Sequence, residues 1–238
     1  MRRSLAARFV HRAALGLAIV LGAAFRPSVV SGQSSISDSE VVPAGGVSVQ
    51  VQYMRVPSSA GDRGWTLFAV SNSFGLKHGL EVSAGSSWIP GDDIQPLSAV
   101  AGWKWRLLSD EQGPVAIAVG GTSFLPLGRG TSAPWGMLFG TVERSFGAHA
   151  PSAAIGAYTL IGRREASDSR RGILLSVAEQ VSPDLEFSIE WVSGKNWFGY
   201  LSPGATLTRG EYSVWLGYSR GTDPRGNSGP SASFGLDF

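Results

Sequence analysis

Residues 97–107 read Leu97-Ser98-Ala99-Val100-Ala101-Gly102-Trp103-Lys104-Trp105-Arg106-Leu107, and this stretch decides the fold. Leu97, Ala99, Ala101, Trp103, Trp105 and Leu107 occupy alternate positions, and Ser98, Gly102, Lys104 and Arg106 lie between them. Successive side chains point to opposite faces only in a strand, so a strand here has one apolar face and one polar face. A helix would scatter Lys104 and Arg106 among the tryptophans.

The same alternation recurs outward in both directions. Val47, Val49, Val51 and Tyr53 alternate with Ser48, Gln50 and Gln52. Leu80, Val82, Ala84 and Trp88 alternate with Glu81, Ser83, Gly85 and Ser87. Leu185, Phe187, Ile189 and Trp191 alternate with Glu186, Ser188 and Glu190, and Tyr212, Val214, Leu216 and Tyr218 form a further apolar row. Stretches 65–74, 114–125, 135–146, 153–162, 172–181 and 198–208 are strand-like, but their two faces are less distinct. No apolar run after residue 32 reaches the ~18 residues of a helical membrane span.

The pattern predicts about 12 strands, with 10 to 14 allowed, in an all-β, closed, antiparallel up-and-down transmembrane barrel over residues 46–238. The connections support this. Stretches 57–64, 90–96, 126–134, 163–171 and 221–230 are long, with 194–196 a short exception in the same series. Those around 75–79, 109–113, 147–151, 182–184 and 209–210 are tight. Short turns at one end and long loops at the other are what a membrane barrel with both termini on one side produces. Trp65, Trp88, Trp135, Trp197, Tyr200 and Tyr218 fall near strand ends, where interfacial aromatic girdles are expected.

Composition narrows the function. The chain of 238 residues has 32 Gly and no Cys, so disulfides, thiolate metal sites and Cys nucleophiles are out. The net charge is +2, but residues 1–32 hold five Arg and no acid, leaving the remainder at −3 with no case for nucleic-acid binding. Basic residues 1–12, the apolar run 13–25 and small Ser31 and Gly32 have the layout of a cleaved secretory signal peptide. Residues 33–45 are expected to be a flexible N-terminal segment.

Phe234-Gly235-Leu236-Asp237-Phe238 alternates up to a terminal Phe. This ending resembles the last strand of Gram-negative outer-membrane β-barrels of the porin-like superfamily. The resemblance implies that Phe234, Leu236 and Phe238 form an assembly signal read by the barrel assembly machinery, and that the location is the bacterial outer membrane. Ser193-Gly194-Lys195-Asn196 is similar to segments of uncharacterised barrels and implies no activity.

Catalysis is not expected. His11 falls in the leader, and His78 and His149 sit in tight turns without a Ser and an acid beside them. No metal or cofactor is expected either, and Asp92-Asp93 reads as a solvated turn. The Arg-rich loop 163–171 is open to lipopolysaccharide, although a charge-balanced tip is the simpler reading. The lumen-lining candidates are Glu81, Lys104, Arg106, Arg144, Glu186 and Glu190, with Glu81 opposite Lys104 when Trp88 pairs with Leu97. Two functions follow: a small passive channel for polar solutes, or a non-conducting structural or assembly barrel of an envelope complex. A soluble periplasmic β-protein is the weaker third.

Overall fold

The computed structural model describes residues 38–57, 64–90, 97–109, 114–127, 133–147, 151–162, 169–196, 198–222 and 228–238. The proposed leader, Asp92-Asp93, His149, residues 163–168 and Trp197 lie outside the described residues.

Twelve antiparallel strands close into one barrel. They are β1 Val47–Val56, β2 Trp65–Gly75, β3 Leu80–Trp88, β4 Leu97–Leu108, β5 Val115–Pro126 and β6 Trp135–Ser145, followed by β7 Ser152–Gly162, β8 Arg171–Ser182, β9 Leu185–Val192, β10 Tyr200–Arg209, β11 Tyr212–Gly221 and β12 Gly229–Asp237. Each pairs with its chain neighbours, and β1 pairs with β12 to seal the ring. Val47 and Phe238 exchange backbone hydrogen bonds of 3.1 and 2.8 Å at that seam. Closure satisfies both edges, which a hydrocarbon environment requires because it offers no water to bare backbone groups.

The expected register holds where the sequence is sharpest: Trp88 faces Leu97 and Glu81 faces Lys104. The alternation of connections is cleaner than expected. β9 ends at Val192 and β10 begins at Tyr200, so the apparently short 194–196 connection is a longer loop. At the opposite end, Pro183-Asp184 and Gly210-Glu211 are two-residue turns. Gly210 adopts φ +62°, a left-handed conformation that such hairpins need.

The outer surface is apolar. Leu216, Ile155, Phe187, Leu207 and Val51 are all exposed, Leu216 to 60%. A soluble domain rarely leaves so continuous a belt in water, whereas lipid tails solvate it at no cost. Tyr53, Phe68 and Trp88 cluster outside near the long-loop rim, with centroid separations of 5.4 and 5.6 Å. The girdle expected from end positions needs correction. Trp65, Trp135 and Tyr200 point inward and line the lumen, while Trp88 and Tyr218 are exposed on the outside. Position along a strand sets depth, but only parity sets the face.

The loop after β9 is held by Asn196, which is fully buried. Its Nδ2 donates to Tyr158 OH (2.6 Å) and to the Ser169 carbonyl (3.0 Å), and its Oδ1 accepts from the Phe198 amide (2.8 Å). Two of these bonds staple Asn196 to β7 and to the residues just before β8, and the third closes the loop on itself. Asn196→Ala removes the partner of the Ser169 carbonyl and of the Phe198 amide, while Tyr158 OH keeps its bond to the Ser193 carbonyl, and should loosen this loop by about 2 kcal/mol. The measurement is hydrogen exchange at the Phe198 amide, which should speed up while global barrel melting moves little. Unchanged protection there would show that the staple is idle.

Candidate functional site

A 12-strand barrel falls between small barrels filled by their own side chains and large ones holding a water channel. The interior of this one is divided accordingly. On the β5–β10 side of the long-loop half, Met137, Tyr158, Leu174 and Val192 form a buried cluster with Phe198 and Tyr200 against it. Phe124 stacks on Trp135 at 4.2 Å, which extends that apolar wall. The facing wall carries Gln50, Gln52, Ser71, Ser87, Ser231 and Ser233. Between the walls lies a cavity of about 350 Å³.

A second cavity of about 90 Å³ lies nearer the short-turn end. Asp38, Glu40, Glu143, Glu186 and Glu190 line it. The two cavities share Glu190, Ser202 and Trp215 as common lining, so these residues mark the junction. Trp215 is buried and lies flat on the inner wall because Gly204 and Gly217, paired across β10 and β11, leave room for its ring. A Cβ at either glycine would overlap that ring. Tyr200 OH donates to Glu190 Oε2 at 2.5 Å and fixes that carboxylate at the junction.

Residues 38–46 occupy the short-turn half of the lumen. The chain turns at Ala44-Gly45 before β1 and runs back inside the barrel. Lys104 Nζ donates to Asp38 Oδ1 at 2.5 Å. Glu143 Oε2 accepts from both the Ser39 amide (2.9 Å) and the Ser39 hydroxyl (2.7 Å). Glu81 Oε2 accepts from the Val42 amide at 2.9 Å. The Gly45 amide donates to the Gly75 carbonyl (2.9 Å) and the Gly75 amide to Gly46 (3.0 Å). Gly75 faces inward, and a Cβ there would collide with the Pro43 and Val42 carbonyl oxygens. The part of the expected flexible segment that is described therefore makes defined contacts.

The predicted lumen residues divide as follows. Glu81 and Lys104 are buried inside, opposite one another. Arg106 shares the inner face with Lys104, just before a bulge in β4, and is half-buried. Glu186 and Glu190 face inward from β9. Arg144 does not line the lumen. It lies on the outer face at the short-turn rim, its guanidinium 5.4 Å from the Phe146 ring centroid. The register places Glu143, not Arg144, opposite Ala116, and a one-residue difference moves a side chain through the wall. With Arg144 outside and Glu143 inside, the opposed basic and acidic walls expected from the sequence become a predominantly acidic lumen. Phe234 and Leu236 face outward, and inward Ser233, Gly235 and Asp237 alternate with them. His78 sits in the β2–β3 turn, where its carbonyl accepts from Trp105 Nε1 at 3.0 Å.

A closed all-antiparallel barrel with an apolar exterior and a polar, acid-lined interior defines the class: a transmembrane-type β-barrel. Among solved structures the chain is similar to KdgM porin, at 11% identity and a TM-score of 0.49 over 81% of this chain and 98% of that one. It is likewise similar to KdgM porin in complex with disordered oligogalacturonate, at 10% identity and a TM-score of 0.47 over 81% and 98%. An outer-membrane channel from Pseudomonas putida F1 aligns at 14% identity and a TM-score of 0.46 over 87% of this chain and 100% of that one. These likenesses concern the fold alone. No protein-family model matches the chain, and no curated protein matches it.

Proposed function

We propose that this protein is a passive outer-membrane channel for small polar solutes, with a preference for cations. The supporting observation is the axial sequence of two cavities, the wider bounded by an apolar wall on one side and by Ser and Gln on the other, the narrower lined by carboxylates. A polar lining lets a solute exchange water for hydroxyl and amide partners, and a ring of acids raises local cation concentration. Lys104 and Arg106 are the counterweight, and Lys104 is already held by Asp38 and faces Glu81. The apolar belt takes outer-membrane lipid as its partner. Export by a cleaved leader and insertion by the assembly machinery through the Phe234, Leu236 and Phe238 strand belong to the same reading.

Purified protein in planar bilayers tests it. Discrete conductance steps are expected, with a reversal potential in a KCl gradient that favours K⁺. Intact barrels that never conduct would favour the structural-barrel reading, which the seated N-terminal segment and the filled β5–β10 side support.

A further inference from the structure

We propose that residues 38–46 form a displaceable internal plug that narrows the short-turn half of the lumen, and that its release opens the conduit. This rests on the channel reading above. The first ground is the wall beneath the segment. Ala116, Ala118 and Ala154 face the lumen yet are buried, and Thr141 beside them is 2% exposed. Thr141 Oγ1 donates to the Asp38 carbonyl (3.4 Å). The strands bring small side chains to this level, and a wall of Ala, Ser and Thr does not fill a barrel of this size by itself. Asp38 and Glu40 line the 90 Å³ cavity, so the segment contributes directly to the narrow end.

The second ground is how the segment is held. Val41, Val42 and Ser39 are buried, and the segment's hydrogen bonds include those to Lys104, Glu143, Glu81, Thr141 and the Gly75 backbone. Water can replace each of these at a small net change, because folding merely exchanges one set of hydrogen bonds for another. The wall offers Lys104 an alternative partner, because Glu81 lies opposite it across β3 and β4 when Asp38 leaves. The joint is suited to hinge motion, since Gly45 adopts φ +86° and Gly46 follows it immediately.

Gly75 is the most direct test. A strand tolerates a β-branched residue, but Gly75→Val puts side-chain atoms where the Pro43 carbonyl lies. A second variant, Ser39→Pro with Val42→Pro, removes the amide donors to Glu143 and Glu81 and alters no barrel residue. The chain has no cysteine, so Ala44→Cys carries a single nitroxide at an exposed position of the turn. Both variants should give a mobile nitroxide and at least twofold higher single-channel conductance than the parent. A label that stays immobile in both variants, or one that becomes mobile while conductance is unchanged, overturns the plug. Equal conductance in every form removes the plug but leaves the channel. No conductance in any form, with the label mobile, removes both.

Discussion

Replacing Glu186 and Glu190 together with lysine should abolish the cation preference of the conducting barrel. The two carboxylates are four residues apart on β9, on one face, so they line the narrow cavity at two levels, about 13 Å apart along the tilted strand. Glu40 and Glu143 complete that lining, and above about pH 7 the ionised Asp38 is offset by Lys104. Two lysines against Glu40 and Glu143 bring the local charge close to zero. At 0.1 M salt the Debye length is about 10 Å, so ions at this constriction respond to the lining and little to distant loops. The Glu186→Gln, Glu190→Gln pair is the intermediate: it removes two charges, leaves two, and keeps at position 190 an oxygen able to accept from Tyr200. The reversal potential in a KCl gradient should therefore fall by about half with glutamine and approach zero with lysine, following the linear logic of Coulomb interactions at fixed geometry. A reversal potential that both pairs leave unchanged would mean that ions pass elsewhere or that selectivity is set outside the barrel.

The sequence exposed most of the fold because one physical fact repeats twelve times: a strand between lipid and a polar lumen must alternate. Where both faces are sharp, as in β4, even the register with β3 could be read, and Glu81 opposite Lys104 followed. β6 shows where this fails. Trp135, Met137, Phe139 and Thr141 point inward while Leu138 and Val142 point outward, so both faces carry apolar groups and parity loses its contrast. Arg144 and Glu143 differ by one residue of register, and that single step inverts the charge facing this part of the lumen. The inward aromatics were obscured for the same reason, because this barrel packs an apolar cluster inside part of its wall. Trp215 was the available signal, as it sits on the Ser213, Gly217 and Ser219 row, opposite the apolar Val214 and Leu216 row. The plug left no pattern of its own. A short polar segment in an extended path has no periodicity, and its partners Lys104, Glu81 and Glu143 are about 40 to 100 residues away in sequence. Only Gly75, a glycine at a strand end where a side chain would otherwise fit, hinted that another piece of backbone passes close.

The plug's charge gives it a defined pH dependence. Burial pushes the Asp38 carboxyl up from 3.8 to about 7, and Glu40 of the segment and Glu143 of β6 add to the rise, while Lys104 of β4 opposes it through charge and a direct hydrogen bond. The seated segment therefore holds a proton that the released segment gives up. Seating is favoured fully below the free value near 4, weakens as pH rises toward about 7, and is constant above it. A single linked proton changes the seated-to-released ratio by at most about tenfold per pH unit, so the slope is itself a check on the number of groups involved. The nitroxide at Ala44→Cys should show a mobile fraction that grows from about pH 4 to 7 and then levels, with conductance rising in parallel. Asp38→Asn supplies a neutral side chain at every pH and still lets its oxygen accept from Lys104. Its label should stay as immobile at pH 8 as the parent's is at pH 4. If the mobile fraction of Asp38→Asn rises with pH as steeply as the parent's, then another group drives the transition and Asp38 is not the titrating latch.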